Sequence, residues 1–160
     1  TNESYSDSSG IWSNTAPTNQ VFSIGSSVVN NANYVAYCLH SVKGFSKIGT
    51  YTGNGNADGT FVYTGFKPAF VMVKVVSRGD QYWQIKDSKR DPFNVRQKNL
   101  YPNEAIIEGS TNPQDFLSNG FKPRPNLNGT NGGGETYIYM AFAEEPFVAN
   151  VGQSIPTTAT

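Results

Sequence analysis

Apolar residues in this chain fall in short runs broken by Gly, Pro, Asn and Ser, and none of the longer windows keeps the i, i+3, i+4, i+7 spacing of a helix without a Gly or Pro intervening. Strands are therefore expected throughout. The run YVAYCLHSV at 34–42 is dense in β-branched and aromatic residues and too continuously apolar for a one-sided surface strand, which predicts a strand in the middle of a sheet. A short strand is expected at 21–25, after a polar stretch at 1–20 with Trp12 as its first apolar anchor. Gly44 ends the long run, and strands are expected at 45–52 and 60–66, joined by a hairpin turn at 54–59 with the Asp58-Gly59 signal. AFVMVKVV at 69–76 gives the clearest strand, turned by Gly79-Asp80 into a partner at 81–86. Residues 88–110 mix charges, Pro92, Pro102 and isolated apolar residues, so they read as a long surface excursion with a short strand near 105–107. β structure resumes at 116–122, a Pro- and Asn-rich loop follows at 123–134, and 137–144 forms the last core strand. Residues past 147 read as a tail.

Two of these runs match each other. YVAYCL at 34–39, followed by Gly44-Phe45, lines up with YIYMAF at 137–142, followed by Pro146-Phe147, and each is preceded by a segment built around Phe22 or Phe116. The part from 49 to 88 occurs once. This pattern predicts an antiparallel β-sandwich of one complete unit plus the C-terminal half of a preceding similar unit. The boundaries are 1–46 for the half unit, 47–148 for the complete unit and 149–160 for the tail, and residue 1 is then not a natural start. A chance likeness between two aromatic-rich strands is the competing explanation.

Composition narrows the function classes. The 160 residues suffice for one good-sized core. Charged residues make up 15% and the formal net charge is +0, which leaves no basic field for nucleic acid. Sixteen Gly and nine Pro beside 13% aromatic residues suit many strands joined by tight turns. No run is apolar for 18 residues and the opening TNESYSDSSG has no basic-then-apolar pattern, so neither membrane insertion nor a leader is expected. The single Cys38 excludes an intrachain disulfide and reads as a small buried residue. Two sequons, at Asn2 and Asn128, would matter only in a eukaryotic secretory pathway.

The runs YVAYCLH at 34–40, GFSKIGTYTGNG at 44–55, DGTFVYTGFKPAFVMVK at 58–74 and YIYMAFAEEPF at 137–147 resemble a repeated domain of uncharacterised function near the C-terminus of tail-fibre-like proteins in marine phages. The resemblance spans nearly the whole chain and implies a virion or tail structural role. It transfers no catalytic or ligand-binding residue. Departures lie mostly in the loops at 87–101 and 123–133, where variation facing a host would be expected.

Candidate chemistry is sparse. Glu144 and Glu145 are adjacent, so on a strand they point to opposite faces and make a polar strand end rather than a glycosidase pair. Asp87 and Asp91 flank Lys89-Arg90 and read as solvated charges or local ion pairs, and Asp115 as a turn cap. Cys38 and His40, at i and i+2 of a strand, would stand about 7 Å apart, too far to pair as nucleophile and base. One His per chain makes a metal site only if three subunits meet on a threefold axis. The segment 54–59 has the alternating oxygens of a calcium loop, but only Asp58 is anionic and Gly65 stands where the bidentate Glu belongs, so a hairpin turn is preferred. Gly132, Gly133 and Gly134 precede a strand rather than a helix, so they read as a flexible loop and not a phosphate cradle. Among the aromatics, Trp83 is expected to be buried and Tyr82 to face outward.

No enzyme activity and no cofactor are expected. The expected role is a virion structural and adhesion module, part of a tail fibre that contacts the host surface and faces outward from the particle. Its partners are itself as a homotrimer, other virion proteins and a host surface glycan, with Tyr82, Arg90, Tyr101, Asn126 and Asn128 as candidate surface contacts. A monomeric carbohydrate-binding module and a capsid decoration protein are the alternatives.

Overall fold

Seven strands and no helix make up the described part of the computed structural model, which comprises residues 13, 15–18, 20–26, 28 and 33–145. The strands are β1 (Ser46–Thr52), β2 (Val62–Tyr63), β3 (Pro68–Val75), β4 (Gln84–Asp87), β5 (Gln114–Leu117), β6 (Gly120–Pro123) and β7 (Thr136–Ala143). They form a four-stranded sheet in the order β1-β7-β3-β4 and a three-stranded sheet in the order β2-β6-β5, with every pairing antiparallel. The fold is a β-sandwich.

β7 holds the larger sheet together. It pairs with β1 along one edge, from Ser46↔Phe142 to Thr52↔Thr136, and with β3 along the other. Alternation decides which side chains enter the core. Tyr137, Tyr139 and Ala141 are buried between the sheets beside Val71, Val73 and Val75 of β3, and they meet Phe116 and Phe121 from the smaller sheet. Tyr51 of β1 stacks on Tyr137 with ring centroids 4.8 Å apart and planes at 13°, and its edge meets Phe121 at 5.9 Å. Phe121 also meets Tyr139 edge to face at 5.2 Å. Buried phenols need partners. Tyr51 donates to the Thr130 carbonyl at 2.6 Å, and Tyr137 donates to the Asn128 carbonyl at 2.8 Å while accepting from the Gly132 N–H at 2.7 Å. Pro68, which has no N–H, stands at the first position of β3, and the register shifts between it and Phe70.

Expectation and structure part at several places. Residues 33–41 are in neither sheet, and the run expected in mid-sheet is exposed, with Val35 at 77% and Tyr37 at 87% of full accessibility. Cys38, expected to be buried, is exposed. β7 lies between two strands, whereas among the described residues no strand flanks the similar run at 34–39. Residues 21–25 and 105–107 form no strand either, and Val21, Phe22, Ile24, Ile106 and Ile107 are exposed. The segment 54–59 is not a hairpin turn, because it carries the chain from β1 in one sheet to β2 in the other. The stretch expected as one strand at 116–122 is a two-strand hairpin, β5 to β6, turning at Ser118 and Asn119. Trp12, most of the polar stretch at 1–20, and the tail past 147 lie outside the described residues.

Candidate functional site

The excursion between β4 and β5 is fixed by polar groups that it carries inward. Lys86 is almost fully buried, and its ammonium donates to the carbonyls of Gln97 at 2.8 Å and Thr111 at 3.2 Å. Burial pulls its pKa down to about 8, because the charged form loses water, although Asp91 pulls the other way. Asn99, with no exposed surface, accepts from the Thr111 N–H at 3.2 Å, and its backbone exchanges two bonds of 2.9 Å with Gly109. Asn94 donates to the Phe116 carbonyl at 2.8 Å and accepts from the Phe116 N–H at 2.9 Å, so an amide side chain takes the place of a strand neighbour beside β5. Arg96 bridges to Gln114 through two backbone bonds of 2.9 Å and lies 4.6 Å from the ring centre of Phe116. Its pKa is lowered by burial against the pull of Asp91, Glu144, Asp87 and Asp115.

This frame displays an aromatic pair. Tyr82, just before β4, meets Tyr101 edge to face with ring centroids 5.6 Å apart. Tyr101 shares a hydrogen bond of 3.0 Å with the Thr111 hydroxyl, and its ring lies over Gly109, where a Cβ would come within 2.6 Å of the phenolic oxygen. Tyr82 faces outward and Trp83 is half-buried. The Trp83 N–H donates to the Asn103 side chain at 3.0 Å. Arg90 belongs to the same excursion, where it pairs with Asp87 at 2.5 Å and with Glu108 at 3.3 Å. Asp91 accepts from the Gln97 N–H at 2.6 Å.

Asn126 and Asn128 are exposed on the loop between β6 and β7, and no hydrogen bond or ring contact links them to the tyrosine pair. That loop is tied down at two of its glycines, the Gly132 N–H donating to the Tyr137 hydroxyl at 2.7 Å and the Gly134 N–H to the Gly53 carbonyl at 2.9 Å. Asn131 is fully buried and ties it to the β1–β2 crossover: it accepts from the Asn54 N–H at 3.1 Å and donates to the Asn54 side chain at 3.0 Å and the Asn56 carbonyl at 2.9 Å. Gly53 passes so close that a Cβ there would stand 2.3 Å from the Gly132 carbonyl oxygen. Two of the side chains that suggested a calcium loop, Asn54 and Asp58, have an oxygen engaged by protein. Asn54 Oδ1 accepts from Asn56 and Asn131, and Asp58 pairs with Lys122 and Arg124, the Lys122 hydrogen bond holding its pKa below the usual value. Among the described residues no group of three or more His, Cys, Asp and Glu side chains is placed to hold a metal ion.

Asp115, expected to cap a turn, is instead a buried member of β5 paired with Arg124 at 3.0 Å. Glu144 pairs with Lys67 just past the end of β7. An open groove of about 400 Å3 lies where the start of β1 meets the end of β2, lined by Ser41, Lys43, Lys47, Tyr63 and neighbouring residues, none of them acidic. Sequence reasoning passed over this groove and the inward-facing Lys86, Arg96, Asn99 and Asn131. Only Asn131 carried a signal, as the polar residue ahead of three consecutive glycines that let backbones approach.

The chain matches the model of one family, a domain of unknown function (DUF7483), over residues 1–146, a span that crosses the boundary drawn between residues 46 and 47. No curated protein and no solved structure matches the chain.

Proposed function

The chain belongs to the DUF7483 family, whose function is unknown, and from that premise we propose that it is a virion structural and adhesion module, part of a phage tail fibre that contacts the host surface. The observation that carries the adhesive part is the Tyr82–Tyr101 pair, formed where the turn before β4 meets an excursion whose backbone is fixed from inside. Tyrosine offers an apolar face and a polar edge, which suits a sugar ring with C–H faces and hydroxyl rims. Arg90 and Glu108 add charge on the same excursion. The virion part rests on the resemblance of the segments at 34–74 and 137–147 to tail-fibre-like proteins.

A homotrimer is supported by the outer face of the larger sheet. Ile48, Met140, Met72 and Ile85 stand opposite one another across β1, β7, β3 and β4, and all four are half-buried, forming an apolar row that subunit contact would cover. Light scattering tests this directly, since a trimer has a mass near three times 17.4 kDa. A monomer instead favours the second reading, a carbohydrate-binding module, which the same tyrosine pair would serve. A glycan array with the native chain and Tyr82→Ala tests the adhesive role: binding that disappears in the variant supports it, and no binding to any glycan by the native chain defeats it. Antibody labelling of intact virions separates a tail fibre from a capsid decoration, and no labelling defeats the virion reading.

A further inference from the structure

We infer that residues 34–40 are the closing strand of a second unit of this fold, inserted antiparallel between that unit's equivalents of β1 and β3 as β7 is in its own sheet. The occupant of this surface is a preceding unit of the same kind in the same polypeptide. This inference does not depend on what the loops bind or on a virion role.

Position by position, the segment has what a closing strand needs. Aligned without gaps, Tyr34, Ala36 and Cys38 fall on Tyr137, Tyr139 and Ala141, the three residues that β7 buries between the sheets. Val35, Tyr37 and Leu39 fall on Ile138, Met140 and Phe142, the half-buried outer row. Ala141 has no exposed surface and takes only a small side chain, and its counterpart is a cysteine, another small residue common in interiors. Yet Tyr34, Val35, Tyr37, Cys38 and Leu39 are all exposed here. Contiguous apolar exposure of this kind marks an interaction surface.

Connectivity points to the same arrangement. Residues 41–45 lead straight from the segment into β1: the His40 carbonyl accepts from the Ser46 hydroxyl at 3.0 Å, and Val42 bridges to Ser46, the first residue of the strand. The stretch after β7, ending in Pro146-Phe147, matches the one ending in Gly44-Phe45. A second copy of this chain is a poor acceptor, because its own β7 already occupies the slot with both edges paired.

The test places a second copy of residues 46–133, which carries β1 to β6, ahead of Asn33 in place of residues 1–32. Because Ala36 stands where β7 has Tyr139, an acceptor made from these strands would contain a cavity, so the same chain with Ala36→Tyr is made beside it. Cys38 is the only cysteine in all three proteins and reports directly. In the unaltered chain its thiol reacts freely. In the extended chains labelling slows by about tenfold or more, most with Ala36→Tyr, and the amides of 34–40 gain protection from hydrogen exchange. Equal reactivity in all three proteins, with the downstream unit still protected from exchange, overturns the inference. So does concentration-dependent protection of Cys38 in the unaltered chain, which would make the partner a second copy.

Discussion

Residues 34–40 and residues 137–143 have the same length, both open on tyrosine and both are rich in large apolar side chains, but one forms the second strand of a four-stranded sheet and the other lies in neither sheet. Local propensity cannot separate them. What separates them is company: β7 has β1 along one edge and β3 along the other, with Phe121 of the facing sheet under its tyrosines. Strand propensity describes how well a side chain fits a pleated, half-buried surface. Where the surface is missing, the same side chains stay in water.

Matched substitutions make this contrast measurable. Tyr137→Ala removes the stack on Tyr51 and two hydrogen bonds to the loop between β6 and β7, and should cost about 3–5 kcal/mol by the scale of large-to-small core changes. Tyr34→Ala, at the aligned position, should change stability by less than about 0.5 kcal/mol. Urea titration of both reads the difference, and equal losses would mean that residues 34–40 are packed in solution. The next pair inserts volume. Ala141→Leu forces a larger side chain into a position with no exposed surface, at a cost of about 1–3 kcal/mol, whereas Cys38→Leu should leave the thermal midpoint unchanged.

The contrast also explains what the sequence made legible. β3 and β7 were readable because large apolar side chains run along them and alternate ones fill the core, β1 because it follows the break at Gly44 and carries Ile48 and Tyr51, and β4 because Gly79-Asp80 turns β3 back on itself. Residues 34–42 sent the same signal and misled, since the information that decides their state lies in strands outside the run. The interior polar groups were hidden for the opposite reason. Lys86, Arg96 and Asn99 look like surface residues, and their burial follows from the excursion folding back over β4 through the Ile85↔Leu100 bridge, a contact no local pattern announces. At the candidate site, Tyr82 and Tyr101 were visible as aromatics, but their meeting depends on the same fold-back.

Alkaline pH acts on one side of the comparison. Burial pushes the Tyr137 phenol up to about 12 from an ordinary value of 10.0, and Tyr51 and Tyr139 are raised for the same cause. A raised phenol in the folded state means that the unfolded chain releases its proton first. The stability associated with Tyr137 is thus fully present below pH 10.0 and is lost as pH rises through about 12. Urea midpoints measured from pH 9 upward should fall over that window, and Tyr137→Phe, which cannot ionise there, should flatten the fall. An unchanged slope in the variant would assign the loss to other groups.

The smallest expected effect is the sharpest check on residues 34–40. Tyr37 is 87% exposed and aligns with Met140, which is half-buried on the outer row beside Ile48 and Met72. Tyr37→Ser should therefore shift the unfolding free energy by less than about 0.5 kcal/mol, while Met140→Ser removes contacts from two neighbouring strands and should exceed that clearly. The serine at 37 has a second consequence. An apolar extended segment with unpaired backbone invites pairing with other chains, so removing its most exposed ring should raise the protein concentration at which light scattering begins to climb. If Tyr37→Ser instead lowers stability as much as Met140→Ser does, the ring is held against the protein in solution, and the difference between the two segments is one of degree rather than of partner strands.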